Sequence, residues 1–536
     1  MTEPLRRTGL LPALAHLPAT IPAVMEARAS TPDDDFVIGP HFRLTFGEAD
    51  RRSFDLAARL LASGVGKGTR LALLFANDAD WVVTWLAAAR IGALTVPLST
   101  FSPGAELARA IRHADVQCLL LAPSFAGVDL TERIEQALPG LDTSGPDIAL
   151  EGAPFLRWAH VIGGKATWSR DLAEPVADAI SHAAEAEVYP ADPLAILSTS
   201  GATAAPKAVV HTHGSLVRHA AILAERRGLD GHDRIYSPMP FFWVGGITMA
   251  LLAALTSGAA TLCQEKFEPG EALDLMEKER VTQVQCWPNA AKAMADHPSF
   301  PERDLSAMRG GALVEALPPD VRPPSPDLSP APLGMTEAGG PHTGHDDMYR
   351  PLPEHLRGTF GRSLPGMEHR VVDPESGTEL GPNESGELLL RGAYMMTELY
   401  KRERHDTFTP DGWYATGDLG SLDDEGFVRF GGRMTAMIKS GGSNVAPAEV
   451  EAVLAEIPGV RFAHVFGVRA GDRGEDVAAV VVHERDATLD VDALAVAARE
   501  RLSSYKVPRQ FRVLAEDELP MLATGKVDMV ALRALF

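Results

Sequence analysis

An alternation of strand-like and helix-like segments near the start of the chain most constrains the fold. The segments are a buried strand at 71–75, a helix at 79–91, a strand at 94–98, a helix at 105–113 and a strand at 116–122. Parallel strands need a crossover connection, usually a helix, so this order predicts a doubly wound and largely parallel sheet. Pro97 has no N–H to donate, which places it at a strand end or edge. The pattern returns around 195–210 and 234–262.

The domain organisation follows from length and from a change of pattern along the chain. With 536 residues the chain is too long for one hydrophobic core. From about Leu388 the strands become short and are separated by turn signals, and the last hundred residues read as a separate α+β unit. We therefore predict an α/β protein with a large N-terminal domain, residues 1–432, and a small α+β C-terminal domain, residues 433–536. The large domain is expected to contain doubly wound sheets and a small β-rich part.

Charge and hydropathy exclude several classes of function. A net charge of -22 argues against a duplex nucleic-acid partner, which needs an excess of Lys and Arg. The longest apolar stretch, Ile247 to Leu262, is interrupted by polar residues and predicts a buried helix that does not span a membrane. Prolines break the apolar run near the N-terminus, so we expect no signal peptide and a cytoplasmic location. The three cysteines are far apart and indicate neither a disulfide framework nor a metal site.

The most informative local feature is a loop of small and hydroxyl residues that ends in a lysine. A buried strand ending at Leu197 runs into Ser-Thr-Ser-Gly-Ala-Thr-Ala-Ala-Pro and then Lys207. Such a loop can direct several N–H and O–H donors at one anion, and Lys207 adds a positive charge. It lacks the Gly-Lys pair of a P-loop. An ordinary polar turn is the alternative interpretation of this segment alone.

Further motifs follow the loop in a fixed order. They are Gly334-Met-Thr-Glu337, Trp413-Tyr-Ala-Thr-Gly-Asp418, Gly432-Arg433, Ile438-Lys-Ser-Gly-Gly442, Pro447-Ala-Glu-Val-Glu451 and Ala523-Thr-Gly-Lys526. Together with Leu44-Thr-Phe-Gly-Glu48 and Ile91-Gly-Ala-Leu-Thr-Val-Pro97, they resemble the adenylate-forming superfamily. This superfamily of AMP-dependent synthetases and ligases includes acyl-CoA synthetases, peptide-synthetase adenylation domains and luciferases. The resemblance covers nearly the whole chain.

The resemblance implies an ATP site. The residues that match the loop around the β- and γ-phosphates are Thr199, Ser200, Gly201, Thr203 and Lys207. Those that match the segments around adenine are Gly310, Gly311, Ala312, Leu333 and Gly334, and Met335 belongs to the same expected ATP/AMP-binding set. By the same resemblance Thr336 contacts the α-phosphate and Glu337 holds Mg²⁺. Asp418 binds the ribose hydroxyls, Arg433 contacts ribose and phosphate, and Lys526 is the mobile catalytic lysine. Lys526, Thr336, Glu337 and Lys207 form the expected catalytic set.

The resemblance also implies an acid site and a mobile C-terminal domain. The expected acid-binding residues are Phe242, Trp243, Val244, Gly246, Gly311 and Gly340. The family rotates its small domain on a hinge, which Thr435 matches here, and the rotation replaces Lys526 by a loop beside the CoA thiol. The residues that match this loop are Lys439, Ser440, Gly441 and Gly442.

The chain departs from the family pattern at several positions. Ala202 stands where Ser or Thr is usual, and Ala204 and Ala208 stand where glycines are usual. Leu333 replaces an aromatic residue that often stacks on adenine, and Thr435 replaces the usual Asp or Lys of the hinge. A segment with seven prolines, within 317–332, replaces the usual helix and strand before Gly334.

The segment around Trp243 narrows the choice of acid. Amino-acid-adenylating relatives place an Asp here to pair with the substrate ammonium, whereas residues 241–244 are all apolar. A buried ammonium without a partner is costly, so an amino-acid substrate is disfavoured. We expect a medium-chain fatty, alicyclic or aryl acid. Trp243 as an ordinary core residue is the alternative.

We therefore expect an AMP-forming acyl-CoA synthetase. It would convert an acid and MgATP to acyl-AMP and pyrophosphate, and then transfer the acyl group to coenzyme A. Two alternatives remain: a ligase that loads the acyl group onto a carrier protein, and a nucleotide-binding homologue without turnover. We expect Mg²⁺, ATP and CoA to be required, without a prosthetic group. The oligomeric state stays open, with a homodimer as one option.

Overall fold

The computed structural model describes most of the chain. The described residues are 19–198, 207–434, 438–440, 443–445, 447–469, 475–485, 487–502, 506–522 and 527–536. By internal contacts the chain forms two compact units. One contains Met1–Glu368 with Arg391–Gly412, and the other contains His369–Leu390 with Trp413–Phe536. The second unit thus includes strands that the sequence assigns to the N-terminal domain, and the boundary near residue 432 stays a prediction.

The regular elements are numbered in chain order. The strands are β1 (Asp35–Ile38), β2 (Arg43–Thr45), β3 (Arg70–Leu74), β4 (Leu94–Pro97), β5 (Cys118–Leu121), β6 (Ser124–Phe125), β7 (Val128–Asp129), β8 (Trp158–Val161), β9 (Pro193–Ser198), β10 (Ala208–Thr212), β11 (Arg234–Tyr236), β12 (Ala260–Leu262), β13 (Gln283–Val284), β14 (Gly310–Gly311), β15 (Gly334–Met335), β16 (Gly340–Pro341), β17 (Thr343–Gly344), β18 (Arg362–Ser363), β19 (Met367–Val372), β20 (Gly386–Gly392), β21 (Glu398–Leu399), β22 (Tyr414–Leu422), β23 (Val428–Arg433), β24 (Ile438–Ser440), β25 (Ser443–Val445), β26 (Val460–Arg469), β27 (Glu475–His483) and β28 (Gln510–Leu514).

The α-helices are α1 (Ile21–Arg28), α2 (Phe46–Ala62), α3 (Ala79–Arg90), α4 (Gly104–His113), α5 (Leu130–Ala137), α6 (Asp178–Ala186), α7 (His213–Arg226), α8 (Ala253–Ser257), α9 (Pro269–Lys278), α10 (Pro288–Ala295), α11 (Pro447–Ala455), α12 (Val491–Arg501) and α13 (Met529–Arg533). Among the described residues, none of the helices combines the length and the hydropathy of a membrane-spanning segment.

The first unit is built on two sheets. The larger has the order β21-β10-β9-β4-β3-β5-β8, and its strands from β9 to β8 run parallel while β10 and β21 are antiparallel additions. The smaller has the order β14-β13-β11-β12-β1-β2 and is parallel except for its edge pair of β1 and β2. Helices connect the parallel strands, so the predicted doubly wound α/β fold is confirmed. Pro97 ends its strand, as its missing N–H predicts.

The helix predicted over the long apolar stretch is wrong at its C-terminal end. A π-helical segment, Gly245–Leu252, continues into α8 and stops at Ser257. Gly258 has φ 86°, a left-handed conformation that terminates a helix. The remaining apolar residues form β12, which pairs in parallel with β1 and β11. By hydropathy alone, a short apolar strand that pairs with a neighbouring strand on each side cannot be distinguished from the continuation of a helix.

The second unit contains a four-stranded sheet, β19-β20-β22-β23, and a three-stranded sheet, β26-β27-β28. In the three-stranded sheet β27 pairs antiparallel with β26 and parallel with β28. The strands and the helices α11 and α12 match the predicted α+β pattern of this part of the chain. Their shared core includes Val450, Leu454, Val481 and Leu494.

The buried carboxyl group of Asp78 should make the free energy of unfolding depend on pH. It caps α3 by accepting a hydrogen bond from the Trp81 N–H at 2.7 Å, and burial raises the pKa of its carboxyl group from 3.8 to about 7. Between those values the folded protein keeps a proton that the unfolded chain releases, so the free energy of unfolding falls as pH rises. Asp78→Asn should keep the capping oxygen and remove this fall, as measured by urea unfolding at about pH 5 and about pH 7.

Asp129→Asn is the matched control, because Asp129 also caps a helix, α5, but is exposed. The Thr131 hydroxyl and the Glu132 N–H lower the pKa of Asp129, so its contribution is already complete above its ordinary value of 3.8. This control should change stability equally at both pH values. An unchanged slope in Asp78→Asn would contradict the assignment.

Candidate active site

An ion pair joins two distant segments of the first unit. Lys207 immediately precedes β10, and Glu337 lies in a 3-10 turn, Thr336–Ala338. The Lys207 Nζ atom is 2.9 Å from Glu337 Oε1. The Glu337 side chain is only 7% exposed and that of Lys207 is 37% exposed. Because a buried carboxylate needs a cation, this contact stabilises Glu337 in an ionised state and holds it beside the end of the candidate phosphate loop.

The backbone around Glu337 is held by hydrogen bonds. His211 Nε2 donates to Thr336 O at 2.7 Å, and Met396 N donates to Glu337 O at 2.8 Å. Thr336 itself is half-buried. These contacts come from β10 and from the segment before β21, so the sheet edge fixes the turn that carries both predicted catalytic side chains.

The segments predicted to surround adenine lie on short strands. Gly311 has φ 113°, and a Cβ there would lie 2.1 Å from Val284 O on β13. Only glycine therefore fits β14 at this register. On the other segment β15 pairs antiparallel with β16, with Gly334 exposed and Met335 buried. Leu333 is half-buried and its N–H donates to Thr343 Oγ1 at 2.8 Å.

Four aromatic side chains form a cluster at the segment predicted to bind the acid. Trp243 packs edge-to-face on Phe242 and Trp287, with ring centroids 5.4 Å and 5.3 Å apart, and Phe101 contacts Phe242 at 5.4 Å. Phe242 is buried, whereas Phe101, Trp243 and Trp287 are half-buried. We call these four residues the aromatic cluster. In an ordinary core Trp243 would be fully covered. Here three closely packed rings stay partly exposed, so the aromatic cluster differs from a core.

Three further residues predicted to bind the acid are Val244, Gly246 and Gly340. Val244 is half-buried and precedes the π-helical segment, and Gly246 lies within it. A Cβ at Gly246 would lie 2.1 Å from Pro240 O, so the turn before the segment requires glycine. Gly340 is buried in β16 with φ 133°. The π-helical geometry is rare and is often found at functional sites.

In the second unit the predicted ribose residues form an ion pair. Asp418 and Arg433 are register partners on β22 and β23, and Arg433 Nε lies 2.8 Å from Asp418 Oδ1. The Asp418 side chain is 5% exposed, and its N–H donates to Thr416 Oγ1 at 2.9 Å. Arg433 also donates to Thr416 O at 3.0 Å. The pairing orients the carboxylate as a hydrogen-bond acceptor of fixed direction.

Some predicted residues lie outside the described part of the chain. These are Thr199, Ser200, Gly201, Ala202, Thr203, Ala204, Thr435, Gly441, Gly442 and Lys526. Lys439 and Ser440 are described only as backbone, in β24. Ala208, at a position where glycine is usual in the family, lies in β10 opposite Ser198 and accepts a hydrogen bond from the Tyr400 N–H at 2.8 Å. An alanine is compatible with this extended backbone.

Sequence reasoning missed several side chains that contact the predicted site. His211 supports the turn of Glu337, and His219 Nε2 donates to Pro341 O at 2.7 Å. Phe101 and Trp287 complete the aromatic cluster. The contacts of His211, His219 and Phe101 join positions more than 100 residues apart, Trp287 is 44 residues from Trp243, and no local spacing encodes any of them. The nearest signal is that β10 and α7 contain three histidines within nine residues, 211–219.

Family profiles match both parts of the chain. The profile described as AMP-binding enzyme matches residues 24–400, and the profile described as AMP-binding enzyme C-terminal domain matches residues 449–526. The chain belongs to the AMP-binding enzyme family. This confirms the predicted superfamily, and the first match includes the loop, the turn of Glu337 and the aromatic cluster.

Relatives of this AMP-binding enzyme cover nearly all of its length. A putative acyl-CoA synthetase, YngI, of Bacillus subtilis is 31% identical and covers 96% of both chains. A methyl-dioxo-octahydro-indenyl-propanoyl:CoA ligase of Mycobacterium tuberculosis is 32% identical, over 96% of this chain and 99% of the relative. Among solved structures, the amide bond synthetase McbA of Marinactinospora thermotolerans is 26% identical with a TM-score of 0.79, over 97% and 100% of the two chains. The predicted AMP-forming acid–CoA ligase class is confirmed by these comparisons.

Gly311→Ala tests the segment predicted to contact adenine. The added Cβ would collide with Val284 O and would strain a backbone at φ 113°. We expect the Kd for ATP, measured by titration calorimetry, to rise at least about tenfold, or ~1.4 kcal/mol. Gly66→Ala is the control, because a Cβ there meets nothing within 4 Å. An unchanged Kd in a folded Gly311→Ala protein would contradict the placement of adenine.

Proposed function

We propose that this AMP-binding enzyme activates a ring-containing apolar carboxylic acid as acyl-AMP and transfers the acyl group to coenzyme A. The class of acid is inferred from the aromatic cluster. ATP and CoA are the co-substrates that the family implies. The residue roles are assigned from the family resemblance, and the contacts of the described residues support some of them.

In the first half-reaction the substrate carboxylate attacks the α-phosphorus of ATP, and pyrophosphate leaves. Negative charge grows on phosphate oxygens, so positive groups and N–H donors must surround them. Lys207, at the end of the loop 199–207, is assigned to the β- and γ-phosphates, and Thr336 is assigned to the α-phosphate. No general base is needed, because a carboxylic acid is already ionised at neutral pH.

Glu337 is the candidate ligand for Mg²⁺. Its carboxylate is buried and charged, which suits a hard cation that takes oxygen ligands. In the described residues no group of three His, Cys, Asp or Glu side chains could hold a metal ion on its own. One carboxylate fits a cation that is held mainly by the phosphates of a nucleotide. When bound, Mg²⁺ supplies neutralising charge between the phosphate oxygens.

Asp418 and Arg433 are the candidate ribose residues. A carboxylate accepts hydrogen bonds from two vicinal hydroxyls, and the ion pair with Arg433 keeps it ionised and oriented. Arg433 is assigned to a further ribose and phosphate contact, and its side chain is 50% exposed.

The second half-reaction is assigned to the C-terminal residues of the motif pattern. Lys526 would stabilise the first transition state, and rotation about Thr435 would replace it by the loop 439–442. Glycines 441 and 442 suit a loop whose backbone approaches a ligand closely. The incoming CoA thiol then attacks the acyl carbonyl, and AMP leaves.

The aromatic cluster favours a rigid ring over a flexible chain. Phe101, Trp243 and Trp287 keep part of their surface exposed, and the ring centroid of Trp243 lies 6.1 Å from that of Phe101 and 5.3 Å from that of Trp287. Edge-to-face packing leaves some ring faces and edges uncovered, and these surfaces can stack on the ring of a substrate. The Mycobacterium tuberculosis relative acts on a fused-ring acid by its name, which agrees with this choice. No acidic residue lies at 241–244 to pair with an amino-acid ammonium.

Lys526→Ala should separate the two half-reactions. Loss of the charge at the transition state should lower acid-dependent pyrophosphate release by about 100-fold or more, while thioester formation from supplied acyl-AMP stays within about threefold of the wild type. Lys506→Ala is the control within the same profile match, since Lys506 is paired with Glu449 at 2.5 Å. It should leave both rates unchanged. An equal fall in both half-reactions of Lys526→Ala would contradict its role.

Trp287→Ala should act on the acid and not on the nucleotide. Removing the ring that contacts Trp243 should raise the KM for a ring acid about tenfold or more and leave the KM for ATP unchanged. Trp287→Phe should restore most of the affinity, because an edge-to-face contact is retained. A parallel rise of both KM values, or none, would show that the aromatic cluster does not contact the acid.

A further inference from the structure

Three histidines of β10 and α7 are completely buried. His211, His213 and His219 are each 0% exposed. Burial lowers the pKa of each ring to about 4, so all three are neutral at physiological pH. A neutral imidazole has one N–H donor and one acceptor nitrogen, and the partner of each nitrogen decides which is which.

Two of these rings contact the same short segment, 336–341. His211 Nε2 lies 2.7 Å from Thr336 O, and His219 Nε2 lies 2.7 Å from Pro341 O. A carbonyl oxygen only accepts, so both rings donate through Nε2. His213 differs, because its Nδ1 accepts from the Ile21 N–H at 3.3 Å and its ring makes no hydrogen bond to residues 336–341.

The two accepting carbonyls lie at the ends of a segment that contains two consecutive glycines. Gly339 has φ 73° and Gly340 has φ 133°, conformations that glycine adopts at low cost. The same freedom gives the unrestrained chain many other conformations. Inside the segment, Gly339 N donates to Thr336 O at 2.9 Å and Met396 N donates to Glu337 O at 2.8 Å.

His219 is itself held firmly. Its ring stacks on Tyr394 with centroids 4.8 Å apart and an interplanar angle of 3°, and the Tyr394 hydroxyl donates to Pro365 O. A Cβ on Gly339 would lie 3.1 Å from His219 Nδ1, so the ring also lies directly against this glycine. The donor is therefore fixed by packing on both sides.

We propose that His211 and His219 are positioning residues that hold segment 336–341 by donating from Nε2 to Thr336 O and Pro341 O. The segment carries Thr336 and Glu337, so its restraint keeps the Glu337 carboxylate at Lys207. The physical restraint stands on the contacts alone. Its consequence for adenylation rests on the proposed function.

The restraint is measured by hydrogen exchange of the full-length wild type and variants. His211→Leu and His219→Leu remove the donor at similar volume, whereas His211→Gln and His219→Gln keep an amide N–H. We expect amides of residues 334–340 to exchange at least about tenfold faster in each Leu variant and within about threefold of the wild type in each Gln variant. His213→Leu is the matched control, with unchanged exchange in 334–340. Unchanged exchange in the Leu variants, or Gln variants as fast as Leu, would overturn the proposal.

If a Leu variant does not fold, the Gln variant of the same position provides the test. Wild-type protection in the Gln variant supports the donor role, and lost protection contradicts it.

The kinetic experiment compares the rate of pyrophosphate release with the rate of thioester formation from supplied acyl-AMP. We expect the first rate to fall about tenfold or more in the Leu variants, with the second within about threefold. Faster exchange with unchanged adenylation would keep the restraint and refute the role given to Glu337 in the proposed function.

Discussion

The ion pair of Lys207 with Glu337 is the interaction on which the arrangement of the first unit's site depends. A carboxylate this buried is costly to ionise without a cation, and Lys207 supplies that cation although its own side chain is 37% exposed. The pair joins segments 130 residues apart. It fixes the end of the loop 199–207 relative to the turn that carries Thr336.

The sheet around the pair explains why this geometry holds. Strand β21 adds to β10, and the residues beside it complete the contact: Thr397 N donates to Val210 O at 2.9 Å, and Met396 N donates to Glu337 O. Three stretches of chain, 207–212, 336–341 and 394–400, are thus linked by backbone hydrogen bonds. The histidines of β10 and α7 add side-chain donors to the same stretch, 336–341. Catalytic groups on rigid elements are held more accurately than groups on free loops, which suits a reaction that depends on placing charge.

Much of the fold could be predicted because local patterns encode backbone conformation. The alternation at 71–122 gave strands and helices within two residues of those observed, and Pro97 ends β4. The helix predicted over the long apolar stretch extends too far towards the C-terminus, because hydropathy does not distinguish a buried strand such as β12 from a helix. The ordered motifs identified the family, whereas the partners of His211 and His219 could not be predicted. Those partners are carbonyl oxygens 125 and 122 residues away, and any residue could supply them.

The central claim is that this AMP-binding enzyme makes a CoA thioester of a ring-containing acid, and product analysis tests it most directly. The wild-type protein would be incubated with MgATP and a panel of aryl, alicyclic, medium-chain and amino acids, with and without CoA, with acyl products identified by mass. We expect CoA-dependent formation of thioester and AMP, fastest with ring acids. Acyl-AMP without thioester would contradict CoA as the acceptor and point to a carrier protein. A preference for flexible chains, or nucleotide binding with no turnover on any acid, would contradict the substrate class or the catalytic role itself.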